Sequence, residues 1–265
     1  MKKTALASAL FATALFAAAN ASAAPVIVNT ALSNIGSAFD NIITGTGTTV
    51  STAIVTDGQS TYNYIDKNGN PATVTVTRPN GNPVTPNGGY SDNGISLSGS
   101  VWNIGPFASG SDPIPGFNSG LTFTFSSPVN AFGFEIGDWA TCCTSTVRDP
   151  NVVSTYGVPA QGSGLWIAFD GGAATLPANA LSSNDNPGVV ASGSFTNFIG
   201  AIDSSGFFSK VTFFGDGFGE FLVAGGTLRF ASVPRGSVGV PEPASLALLG
   251  IGALGLAAMR RRKTA

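Results

Sequence analysis

The fold is decided by the stretch 121-LTFTFSSPVNAFGFEI-136. In its first half Leu121, Phe123 and Phe125 face one way, and Thr122 and Thr124 the other. In its second half Phe132, Phe134 and Ile136 share a face opposite Gly133 and Glu135. Successive side chains of an extended chain point to opposite sides, so apolar residues at every second position mark strands with one face in a core. The pattern returns in 165-LWIAF-169, where Leu165, Ile167 and Phe169 oppose Trp166.

Working outward, similar stretches predict strands at 26–30, 49–55, 95–104, 194–202, 208–214 and 227–233. The segment 62-YNYIDKNGNPATVTVT-77 reads as a hairpin, with Asn68-Gly69 supplying the positive φ of a tight turn. Helical spacing is almost absent. Short strands separated by Gly/Pro-rich turns predict an all-β fold, an antiparallel β-sandwich or jelly roll, with a compact barrel as the alternative. The turn-rich run 78-RPNGNPVTPNGGYSDNG-94 is either ordered by the sandwich or a hinge between a small ribbon (24–90) and a main sandwich (91–233).

Between residues 24 and 240 stand six basic and thirteen acidic residues, a net charge of −7. Such a surface argues against nucleic acid, whose phosphates need cationic partners. The chain has no histidine, which removes the usual general base and with it a standard Ser/His/Asp or Cys/His hydrolase. The expected class is therefore not an enzyme. Carboxylate pairs could still hydrolyse glycosidic bonds, so a secreted glycan hydrolase is the catalytic alternative. A matrix protein assembling through its strand edges is the structural one.

The two ends differ from the body. Lys2 and Lys3 precede an apolar run from Ala5 to Ala19, and Ala21-Ser22-Ala23 follows with small residues at Ala21 and Ala23. That order is a secretory signal peptide, residues 1–23, cut by signal peptidase. At the other end an uncharged segment, 244–259, is followed by Arg260, Arg261, Arg262 and Lys263. As a transmembrane helix it spans about 24 Å against a hydrocarbon core of about 30 Å, short for a permanent anchor. The basic tail 260–263 should stay on the cytoplasmic side. Gly250, Gly252 and Gly255 have dinucleotide-binding spacing, but they lie within this span and not between a strand and a βαβ helix.

Immediately before the span stands Pro241-Glu242-Pro243. Both prolines disfavour helix, leaving Glu242 extended and presented at the membrane surface. The order "VPEP", short apolar helix and "RRRK" over 241–265 resembles the PEP-CTERM sorting signal of Gram-negative bacteria. The resemblance implies recognition by the membrane protease-transpeptidase exosortase, removal of the tail, and an exported product that starts as an inner-membrane-tethered precursor. It further implies a cell-surface or extracellular location and association with exopolysaccharide and biofilm. The stretches 123-FTFSSPVNAFGFEIGDWATCC-143, 165-LWIAFDGG-172 and 198-FIGAIDSSGFFSKVTFFGDG-217 resemble the lectin-like β-sandwich ectodomains of that group.

Three sets of body residues invite a chemical reading. Cys142 and Cys143 are adjacent and the chain's sole cysteines. In an oxidising compartment they are open to a strained vicinal disulfide, intermolecular pairing or a pair of free thiols. Trp139 follows Asp138 in a loop and would offer a stacking platform to a sugar, or else plug the core, with Asp170 in a neighbouring loop. Asp138, Asp170, Asp203 and Asp216 would supply oxygens to Ca²⁺, although turn aspartates are otherwise solvated and bonded locally. Apart from Ca²⁺ no cofactor is expected.

Overall fold

The computed structural model describes residues 26–30, 36–92, 95–105, 120–139, 145, 147–182, 185, 192–193, 195, 197–215 and 222–238. The signal peptide, the 241–265 signal with its helix, and Cys142-Cys143 lie outside the described residues.

Two sheets are formed. The larger places β1 (Val26–Thr30), β12 (Asn197–Ile202), β8 (Ala131–Asp138), β14 (Leu222–Ala231), β6 (Ile95–Ile104) and β11 (Ser192–Gly193) side by side. In it β2 (Ser51–Ile54) pairs with the second half of β14, and β5 (Asn87–Asp92) pairs with β6. The smaller sheet runs β10 (Thr175–Ala180), β9 (Ser163–Phe169), β13 (Phe208–Gly215), β7 (Gly120–Val129), β4 (Pro71–Thr77) and β3 (Thr61–Ile65). All pairings are antiparallel except that of β11 with β6.

The alternation decides which face goes inward. Leu121, Phe123 and Phe125 of β7 meet Phe132, Phe134 and Ile136 of β8 across the gap between the sheets. The ring centroids of Phe123 lie 4.7 Å from Phe132 and 5.1 Å from Phe134. Phe213 stands edge-on to Phe134 at 4.7 Å, and Phe230 lies 5.5 Å from Phe132. Offset and edge-to-face rings of this kind contribute beyond the apolar area they bury. On the reverse of β7, Thr122 and Thr212 share a hydroxyl hydrogen bond of 2.9 Å.

The step from one sheet to the other between β7 and β8 is made by Asn130 alone. This residue is fully buried. Its Nδ2 donates to the Val233 carbonyl at 2.9 Å, and its Oδ1 accepts from the Val233 N–H at 2.7 Å. Its carbonyl accepts from Asp203 N–H at 2.7 Å, and its own N–H donates to Ala231 at 3.3 Å. So tight a crossing leaves no slack: β7 and β8 must stack, and their phenylalanines must interdigitate.

The outer faces are covered by two short helices that periodicity does not announce. Helix α1 (Ser37–Gly45) buries Phe39 and Ile43, one turn apart, on β12 and β8. Phe39 packs 5.2 Å from Phe198. Gly200 and Gly133 leave room for these rings: a Cβ at Gly200 would stand 2.7 Å from Phe39, and one at Gly133 would strike Phe198 and the Ile199 carbonyl. Covered on both faces, β12 is buried at every position instead of alternating. Helix α2 (Pro150–Tyr156) has Pro150 in its first turn, Asp149 accepting from the Asn151 N–H at 2.7 Å, and left-handed Gly157 at its end. It covers Trp166, whose ring meets Tyr156 at 5.6 Å.

The 62–77 hairpin forms, with Gly69 at φ 81° and Asn68 in ordinary negative φ. Asp66 closes it, accepting from the N–H groups of Asn68 and Asn70 at 2.8 and 2.9 Å. The 24–90 ribbon does not form a separate body. Its residues join both sheets, β3 and β4 against β7 and β2 against β14. Of the 78–94 run, residues 78–92 make a tight turn, Arg78 N–H to Asn82 carbonyl at 2.8 Å, and then cross to the other sheet as β5.

Asn130→Ala should cost about 2–5 kcal/mol, because it orphans both a buried N–H and a buried carbonyl of Val233. Asn130→Asp, which sets a buried carboxylate against the Val233 carbonyl, should cost at least as much at neutral pH. Urea denaturation checks this, and an alanine variant within about 0.5 kcal/mol of the parent would remove the crossing from its central place.

Candidate functional site

Asp138, Trp139 and Asp170 are not brought together. Asp138 ends β8 wholly buried and accepts from the Tyr90 hydroxyl at 3.0 Å. Trp139 is 3% exposed within the main core cluster, and its carbonyl accepts from Ser163 Oγ, at the start of β9, at 3.4 Å. A ring so covered has no face to offer a sugar, so the stacking platform is corrected to a core plug. Asp170 follows the other end of β9, seven residues on. At about 3.3 Å per residue the separation is about 23 Å, the length of the sandwich.

Asp170 has a structural task of its own. It adopts φ 49° and with Gly171, at φ 77°, makes the turn out of β9. Asp170 Oδ1 accepts from Ser209 N–H, Ser209 Oγ and Lys210 N–H at 3.0, 3.1 and 2.9 Å. Asp203 Oδ1 likewise accepts from Ser205 N–H and Oγ at 2.9 and 2.6 Å. The loop carboxylates thus turn back on local donors, and among the described residues no three acids gather around a metal-sized space. Asp216 lies outside the described residues.

A charged set that sequence reasoning missed sits under α1. Arg229 of β14 reaches Asp40 of α1 at 3.2 Å and Glu135 of β8 at 3.3 Å, and donates to the Thr227 carbonyl at 3.2 Å. Its guanidinium lies 5.3 Å from the centre of the Phe198 ring. Gly36, at φ 73°, rests against the same guanidinium, where any Cβ would collide. The available signal was Glu135 on the outward side of an otherwise apolar strand. Its partner comes from nearly a hundred residues away, which no local pattern shows. One cation here serves two partly buried carboxylates, an arrangement that fastens the helix to the sheet and leaves neither acid facing an open cleft.

Burial pushes the Glu135 carboxyl above its ordinary value, against the opposing pull of Arg229. A second buried cation, Arg148, holds the other end of the fold. It donates to the carbonyls of Pro159 and Gln161 at 2.8 and 3.2 Å and lies 5.9 Å from the centre of the Trp166 ring.

With this geometry in place, the comparisons identify the chain's signal. Residues 239–263 match the PEP-CTERM protein-sorting motif. The chain therefore carries the signal of an exosortase substrate, an exported protein processed at the membrane, and its exported body is an antiparallel β-sandwich. No curated protein and no solved structure matches it. Pro241, Glu242, Pro243, Arg260, Arg261 and Arg262 fall within the matched residues.

Two outcomes follow. Trp139→Ala should destabilise the sandwich by about 3–5 kcal/mol, as for a buried indole removed from a core; denaturation at the parent midpoint would restore an exposed ring. For Glu135, a raised folded pKa means that its proton favours folding below the ordinary value of 4.5. That contribution disappears as pH rises through the raised value. The stability of Glu135→Gln relative to the parent should therefore increase from about pH 4 to about pH 7, and a pH-independent difference in urea titrations would contradict this.

Proposed function

We propose that this chain is a non-catalytic surface or matrix protein, delivered by exosortase to exopolysaccharide-rich surroundings such as a biofilm. Signal peptidase acts after Ala23. The 244–259 helix then tethers the precursor to the inner membrane, with the basic tail inside, until processing near Pro241–Pro243 releases the sandwich to the surface. The PEP-CTERM motif at 239–263 carries this reading. A non-catalytic role is supported by the absence of histidine from the sequence. It is supported too by the partly buried carboxylate pair, Asp40 and Glu135, being engaged by Arg229 beneath a helix.

The test replaces Pro241, Glu242 and Pro243 by alanine in the native host and, separately, removes exosortase. Both should leave a membrane-bound chain that retains its tail by intact mass, while the parent yields a shortened product outside the inner membrane. A parent product that keeps the full tail would overturn the proposal.

A further inference from the structure

Both ends of the described fold leave from the same end of the sandwich. Val26 opens β1 opposite Ile202, the last residue of β12. Two residues beyond Ile202 stands Ser204, itself buried. Its Oγ donates to the Val238 carbonyl at 3.1 Å, and its own carbonyl accepts from Gly236 N–H at 3.0 Å.

Residues 234–238 thus form a strap laid on that end of the fold. It starts from a rigid post, because Asn130 clamps both the N–H and the carbonyl of Val233. It comes down on a second post held by the same residue: the Asn130 carbonyl accepts from the N–H of Asp203, next to Ser204. Between them lies a tight turn, with Ser237 N–H and Oγ both on the Pro234 carbonyl at 3.2 and 2.7 Å. Val238 packs half-buried against the cluster that contains Phe39, Ile43 and Val233. The hold is light. Two hydrogen bonds to Ser204 and one half-buried valine fasten the strap, while residues 234–237 are exposed. A segment with so few buried contacts opens locally at a far lower cost than the core.

The strap ends at the edge of the sorting motif, which begins at residue 239. With Val238 held, only Gly239 and Val240 separate the body from Pro241. Those three steps of chain span at most about 11 Å. A single helix with its side chains is about 10–12 Å across, so a cleft closing around the tripeptide has no room for a wall on the body's side. With the strap released, the last fixed residue is Val233, eight steps from Pro241. That span reaches about 29 Å, enough for two layers of protein.

We propose that the strap is an autoinhibitory contact on tail removal: closed, it holds tripeptide 241–243 too near the body for exosortase, and release of Val238 from Ser204 presents it. The inference rests on the processing reading above and adds the step that times the cut. An enzyme that accepts only the open chain binds it in proportion to the open fraction. The contacts at Ser204 therefore set the pace.

The test follows tail removal in the native host by pulse labelling and intact mass, and strap opening in the purified full chain by amide exchange. Ser204→Ala deletes the hydrogen bond to Val238 and should raise both tail removal and exchange at Gly236 about fivefold. Five Gly and Ser residues inserted between Val238 and Gly239 supply the reach without release. That variant should lose its tail at least as fast as Ser204→Ala, and combining the two should bring no further gain. Gly236 exchanging as slowly as the Asn130-clamped Val233 N–H would show that the strap does not open by itself, and would overturn the proposal. So would an insertion that leaves tail removal unchanged or slows it, the result expected of an enzyme that docks on the body. A Ser204→Ala effect that persists in full on the insertion would overturn it too. A parent chain that keeps its tail in the presence of exosortase would overturn the processing reading and this one with it.

Discussion

The structure depends on a single-residue passage between two sheets. Asn130 carries the chain from β7 to β8 with no loop, and its amide is clamped on Val233 from both sides. That constraint makes two phenylalanine-rich strands face each other. Phe123 then touches Phe132, Phe134 and Phe213 together. Every other strand is positioned by pairing outward from these. A longer crossing would let one sheet rotate on the other, and interdigitated rings would lose their register. The buried amide is worth having because all its polar atoms are satisfied; half-satisfied, it would be a liability.

Charge is handled by sequestration. The body has few cations, and two of its arginines are taken inside, where each fastens a helix or loop to a sheet. Arg229 links α1 to β8 through two carboxylates, while Arg148 gathers the carbonyls of the 159–161 segment beside Trp166. Turn aspartates are committed to neighbouring amides in the same way. The three exposed cations, Lys67, Lys210 and Arg235, stand at the end where the termini leave, and Asp66, Asp170 and Asp203 stand with them.

Much of the strand pattern was legible because half-buried strands alternate. The stretches at 95–104 and 208–214 coincide with β6 and β13 to within a residue. Legibility failed where the other face was also covered or the edge was irregular. β10 contains Pro177 and shifts register between Thr175 and Ala178, so it shows no alternation. Helix α1 has only nine residues, too few for periodicity to stand out. Helix α2 did carry a readable signal in Asp149-Pro150 and Gly157, since those residue types suit a helix start and stop.

The sorting signal was open to reading from the sequence alone because an enzyme that recognises a short extended peptide reads the same linear order. The β class was open for a related reason: alternation is a property of neighbours along the chain. Which loops share an end is not. Asp138, Trp139 and Asp170 look equivalent as residues after strands, and the direction and pairing of β8 and β9 put them a sandwich length apart. Whether Trp139 is platform or plug, which carboxylates meet Arg229, and that Val26 and Val238 leave side by side were decided by the tertiary structure, because each depends on contacts between residues far apart in the chain.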